Sequence, residues 1–107
     1  MVNRGRIIEL ARMYGYMDGY ARIQDTGKHE PTPRASAALV RRVVTIELQE
    51  RGKSLWALPF AAFVHRRTIQ HTYANGYWAG ELRARSAGAV PVRPAIWVLP
   101  QAMRDQA

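Results

Sequence analysis

Apolar residues return every three or four positions through the first half of the chain. Ile7, Leu10, Tyr14, Met17 and Ala21 form one such series, and Ala37, Val40, Val44 and Leu48 form another. A spacing near 3.6 residues places each series on one face of an α-helix, and a strand would need strict alternation instead. The first series predicts a helix from Asn3 to about Arg22, although Gly15 and Gly19 each weaken it by roughly 1 kcal/mol against alanine. The second predicts a helix opened by Thr32 as N-cap with Pro33 at its first position, and closed at Gly52. Arg41, Arg42, Glu47 and Glu50 are expected to face water, with Val43 and Ile46 at the edges of the buried face. Asp25 to Pro31 reads as a surface loop.

Beyond Gly52 the pattern is shorter-ranged. Ser54 is a second N-cap candidate before an apolar stretch from Leu55 to Phe63. A polar, basic stretch from Arg66 to Ala74 follows, and Asn75-Gly76 reads as a stop. Tyr77 to Arg85 predicts a last short helix. From Ala87 the character changes: Val90, Pro91, Val92, Arg93 and Pro94 favour extended backbone. Ala95 to Leu99 then reads as a strand closed by Pro100. The expected fold is therefore mainly α, a single domain over 1–107 with four or five helices and a short extended C-terminal arm over 89–100. The pattern gives no expectation of an internal repeat or a low-complexity tract.

Charge narrows the function. Sixteen Lys and Arg stand against eight Asp and Glu, a net +8, and fourteen of the sixteen cations are Arg. A basic surface attracts polyanions, and guanidinium forks suit phosphate and guanine edges. Arg-rich coding in a GC-rich genome is the competing explanation for the Arg excess. The basic density peaks between Arg51 and Arg85, where six cations face the single acid Glu81 for a net +5. With no Cys there is no disulfide, thiolate metal site or thiol nucleophile, which agrees with a reducing compartment. Glu9 and Arg12 interrupt any apolar run at the start, so neither a signal peptide nor a membrane span is expected. A cytoplasmic protein is the expectation. The three His are dispersed, and no nucleophile elbow or phosphate loop is present, so no metal, cofactor or enzymatic activity is expected.

The stretch from Ser54 to Gly76 carries the most specific signal. Ser54 opens it, Leu58 holds the fifth place, Ala61 and Ala62 are small at the eighth and ninth, Val64 and Ile69 are β-branched, and Asn75-Gly76 ends it. In this it resembles the helix-turn-helix of the phage-repressor (Cro/CI-like) family. The resemblance spans residues 54–76, and about 45 residues when the preceding helix is included. It departs from the family at Phe63, where the turn usually has Gly, at Pro59, and at Leu55, where a phosphate-contacting Gln is common.

The resemblance implies a small core of Leu58, Val64 and Ile69 and a reading helix that presents Arg66, Arg67, Gln70 and His71 to base edges. Lys53, Arg83 and Arg85 are the expected phosphate contacts. It further implies a sequence-specific transcription regulator of phage or mobile-element type acting on duplex DNA as a homodimer, with Ile96 and Trp97 of the arm as dimer or partner contacts.

Two alternatives stay open. Pro59 also suits the first turn of a helix, and residues from Pro59 to about Tyr73 then form one continuous helix with Phe60, Val64, Arg67 and His71 on one stripe. The chain would in another reading be an accessory protein that binds a host polymerase, repressor or defence complex. An exposed apolar patch around Phe60, Phe63 and Trp78 would favour that partner, and a basic stripe along Arg66 to His71 would favour DNA. Trp56 and Trp78 are expected as packing residues. Tyr14, Tyr16 and Tyr20 beside Arg12 and Arg22 suggest base stacking on RNA as a third reading.

Overall fold

The computed structural model describes residues 2–87. These form three α-helices and one 3-10 turn, and no strand occurs among the described residues: α1 (Arg4–Thr26), α2 (Ala37–Glu50), the turn Leu55–Ala57 and α3 (Leu58–Ser86). The extended arm at 89–100, with Ile96 and Trp97, lies outside the described residues.

The ends of α1 and α2 follow ordinary capping chemistry. The Asn3 side chain accepts from the Arg6 N–H, and Ser36 does the same for Leu39. Gly27 and Gly52 close the two helices at φ 70° and 67°, a region that only glycine enters freely. Gly52 is thus the predicted terminator.

The start of α2 is displaced from the expected Thr32-Pro33 to Ser36. The reason is tertiary: the Gln70 amide donates to the Ala35 carbonyl and accepts from the Ala35 N–H, both at 2.8 Å. That pair holds Ala35 as it would be held in a sheet ladder, so the helix begins only after it.

Chain direction is plain from the contacts. The Asn3 N–H donates to Glu47 and Arg6 pairs with Glu50, which places the start of α1 beside the end of α2. Gln70 meets Ala35 ahead of α2, whereas Leu48 near its end lies beside Ala61 at the start of α3, so α2 and α3 are antiparallel. Gly15 meets Tyr73 and Gly19 meets Tyr77, so α1 and α3 run parallel.

They touch backbone to backbone. A Cβ built on Gly15 would lie 2.1 Å from the Tyr73 carbonyl oxygen, and one on Gly19 would lie 2.0 Å from that of Tyr77. Across the interface the same holds for Gly76 with Arg12 at 2.3 Å and Gly80 with Tyr16 at 2.1 Å. Each helix thus presents two glycines four residues apart to the other. The sequence does carry this as a repeat, Gly15-Tyr16 to Gly19 and Gly76-Tyr77 to Gly80.

This contact overturns the expected stop at Asn75-Gly76. Gly76 is a packing residue inside α3, and the separate helix predicted over 77–85 is its C-terminal half. Residues 54–76 contain no turn between two helices. Phe63 is helical, and no non-glycine residue has positive φ among the described residues. Pro59 sits in the first turn of α3, where its missing N–H costs nothing. The continuous-helix alternative is therefore the observed one, and the helix-turn-helix geometry is absent.

The core is built from Ile7, Leu10 and Ala11 of α1, Val40, Val43, Val44 and Leu48 of α2, and Ala61, Ile69, Tyr73 and Tyr77 of α3. Glu47, expected in water, is buried. One of its oxygens takes the Asn3 N–H at 3.1 Å and lies 3.6 Å from Arg51. Among the described residues no helix is long and apolar enough to cross a membrane.

Candidate nucleic-acid interface

The helix pair α2 and α3 leaves a cleft of about 760 Å³ beside the N-terminus of α2. Arg34 enters it from the preceding loop, Arg41 from the second turn of α2, and Arg66, Arg67 and His71 from α3. All five side chains belong to exposed residues. None of the four arginines has an ion-pair partner among the described residues, whereas Arg6, Arg22 and Arg51 pair with Glu50, Glu30 and Glu47.

The segregation is written in the sequence. No Asp or Glu occurs from 31 to 46 or from 51 to 80. The one acid of the basic region, Glu81, is 4% exposed. Its oxygens are occupied by His29 Nδ1 at 2.6 Å and by the Glu30 N–H at 2.8 Å. The α2 N-terminus adds the partial positive charge of its free N–H groups to the same cleft. Unpaired guanidinium groups in a concavity with no nearby carboxylate give a positive potential that attracts anions. The Arg66 guanidinium also lies 4.9 Å from the centre of the Phe63 ring, a cation–π pair at the cleft wall.

The structure divides the predicted site residues. Arg66, Arg67 and His71 come together in the cleft. Gln70 lines it too, but both ends of its amide are taken by Ala35, so it shapes the wall and is not free to read adenine. Lys53 lies outside the cleft, on the rim of a different groove. Arg83 and Arg85 are exposed in the last turn of α3. Arg85 lies about 27 Å along the helix from Arg67, at 1.5 Å per residue.

Arg34 and Arg41 were not singled out from sequence. The signal that would have found them is the acid-free run from 31 to 46 around them. Val64, expected in a small core with Leu58 and Ile69, is half-exposed; Ile69 alone of the three is fully buried. Trp56, expected as packing, is 84% exposed. Trp78 is partly exposed and donates its indole N–H to the Glu30 carbonyl at 3.0 Å.

The tyrosine cluster of α1 belongs to helix packing in part. Tyr14 rests on the core, and Tyr16 and Tyr20 stand as a tilted ring pair with centroids 6.4 Å apart, beside the glycine contacts. No group of three or more His, Asp or Glu is placed to hold a metal among the described residues. Compared with protein-family models, with characterised proteins and with solved structures, the chain matches none of them.

Proposed function

We propose that this protein binds nucleic acid, duplex DNA foremost, by gripping backbone phosphates in the α2–α3 cleft, and that it acts by binding without catalysis. The observation that carries the reading is the convergence of Arg34, Arg41, Arg66 and Arg67 from three separate segments, each without an acidic partner. In this reading Arg66, Arg67 and His71 change role. With no reading helix they act on phosphate and shape, and only secondarily on base edges. Regulation of transcription then follows from occupancy of DNA and not from operator reading. The homodimer expectation rested on paired reading helices and loses that footing.

Four phosphate contacts give a salt slope of about −3.6 in log–log form, so affinity falls roughly 100-fold between 50 and 200 mM salt. The test is fluorescence anisotropy of a labelled duplex of about 20 base pairs over that salt range. Wild type is expected to follow the slope, and Arg66→Ala/Arg67→Ala to flatten it by about 1.8. Binding that ignores salt, or a double variant that binds as wild type does, would overturn the reading.

A further inference from the structure

The arginine cleft contains one exposed side chain that phosphate gripping does not use. Phe63 lines it and is 63% exposed. The Arg66 guanidinium lies 4.9 Å from the centre of its ring. A ring has two faces, and with a guanidinium near one of them most of the residue is still in water. The neighbouring exposed aromatics are placed elsewhere: Trp56 and Phe60 line a separate groove. Phe63 alone of the three shares a concavity with Arg34, Arg41 and Arg67.

Phosphate oxygens gain nothing from an apolar ring, so the cations do not account for it. The face of a nucleobase does gain. It stacks on an aromatic side chain whatever the base, and a guanidinium adds to the same contact. A paired base inside a duplex keeps its faces against its neighbours and shows only its edges in the grooves. An unpaired base has a face to offer and costs least to draw out of the stack. Unpaired cations and an open aromatic in one cleft are thus the two features that suit a strand with an unpaired base. The contact carries no base identity, because the amide of Gln70 is held at both ends by Ala35.

We propose that the cleft favours DNA at points where a duplex gives way to unpaired bases, a refinement that rests on the nucleic-acid reading of this site. Phe63 stacks on one such base while Arg34, Arg41, Arg66 and Arg67 hold the phosphates beside it.

The test compares three labelled DNAs by anisotropy against the intact protein at about 100 mM salt. One is a blunt duplex of about 20 base pairs. The second is the same duplex ending in a fork of about four unpaired thymidines on each strand. The third has the same fork made of abasic nucleotides. The two forks carry equal phosphate charge, so they differ in bases alone. The thymidine fork is expected to bind at least about 5-fold more tightly than the abasic fork, the effect of one stacked base. Phe63→Ala, at an exposed helical position where alanine is well tolerated, should abolish that preference and leave blunt-duplex affinity close to wild type. Phe63→Tyr should retain the preference. Equal binding of the two forks, or a preference that survives Phe63→Ala, would overturn the proposal while the blunt duplex still reported on the cleft itself. An equal loss on all three DNAs in Phe63→Ala would reduce Phe63 to a support for Arg66 and overturn it too. If none of the three DNAs binds, the nucleic-acid reading itself fails and the refinement falls with it.

Discussion

Replacing Gly76 by alanine adds one methyl group to a helix interior, where alanine is intrinsically favoured by about 1 kcal/mol. The structure reverses the sign. The new Cβ would sit 2.3 Å from the Arg12 carbonyl oxygen, against an ordinary contact of 3.4 Å or more, so α1 and α3 must part by about 1.1 Å there. The obstacle is backbone and cannot rotate away. A gap of that size forfeits a quarter to a half of each dispersion contact nearby, and overpacking of this kind costs up to about 3 kcal/mol or more. With neighbouring glycine contacts opened as well, a gross cost near 4 kcal/mol less the propensity gain leaves a net loss of about 3 kcal/mol. A domain of this size has a total stability on the order of 5–15 kcal/mol. Urea unfolding followed by circular dichroism would show the midpoint falling by about 1–2 M at an ordinary m value. Gly5→Ala is the control. Its Cβ meets only Asn3 Oδ1, at 3.4 Å, so the same chemical change there should be neutral or stabilising. Equal stability of wild type and Gly76→Ala would refute the parallel glycine contact and with it the arrangement of the helices.

Further expectations follow from single contacts. Gln70→Leu strips the partly buried Ala35 N–H and C=O of both partners and should cost about 1–3 kcal/mol in the same assay, while Gln70→Glu keeps the acceptor and should cost less. Phe63→Gly separates the two readings of residues 54–76. A turn would gain from glycine, but a continuous helix should lose about 1 kcal/mol at this exposed site, and a stabilised variant would contradict the observed α3. Burial, and then the hydrogen bond its hydroxyl donates to Asp18, raise the Tyr73 hydroxyl well above its ordinary value near 10. Below pH 10 both states hold that proton; above it the unfolded chain releases the proton while the folded chain keeps it. Stability should therefore fall above pH 10 by up to about 1.4 kcal/mol per pH unit from this group, and Tyr73→Phe should make the fall shallower. A pH dependence unchanged in Tyr73→Phe would contradict the burial.

The helical character of the chain was legible because Ile7, Leu10, Val40, Val44 and Leu48 are spaced for one buried face and are buried on it. Gly52 was legible as a terminator for a local reason, the positive φ it adopts. Gly76 was misread because local propensity treats every mid-helix glycine as a weakness. Its value lies in the Arg12 backbone, 64 positions away in sequence, and only the repetition of Gly-Tyr in both helices hinted at it. The same limit explains Ser54 to Gly76. Short-range residue types matched a two-helix motif, but the buried face of α3 runs on through Ile69, Tyr73, Gly76 and Tyr77 and keeps one helix. At the candidate site, Arg66, Arg67 and His71 were legible as exposed polar residues on a helix. Gln70 was not, because its partner Ala35 is 35 residues away and outside any periodic pattern. Arg34 and Arg41 needed the fold to bring the loop and α2 beside α3.

The most direct test is one of position against charge. Arg34, Arg41, Arg66 and Arg67 replaced together by Ala, and Arg4, Arg12, Arg83 and Arg85 replaced together by Ala, each remove four positive charges from the same exposed surface class. Duplex-DNA anisotropy across 50–200 mM salt should find the second variant close to wild type in slope and the first nearly flat, with weak residual binding. Equal losses in both variants would mean that net charge alone drives binding and that the α2–α3 cleft is not the site.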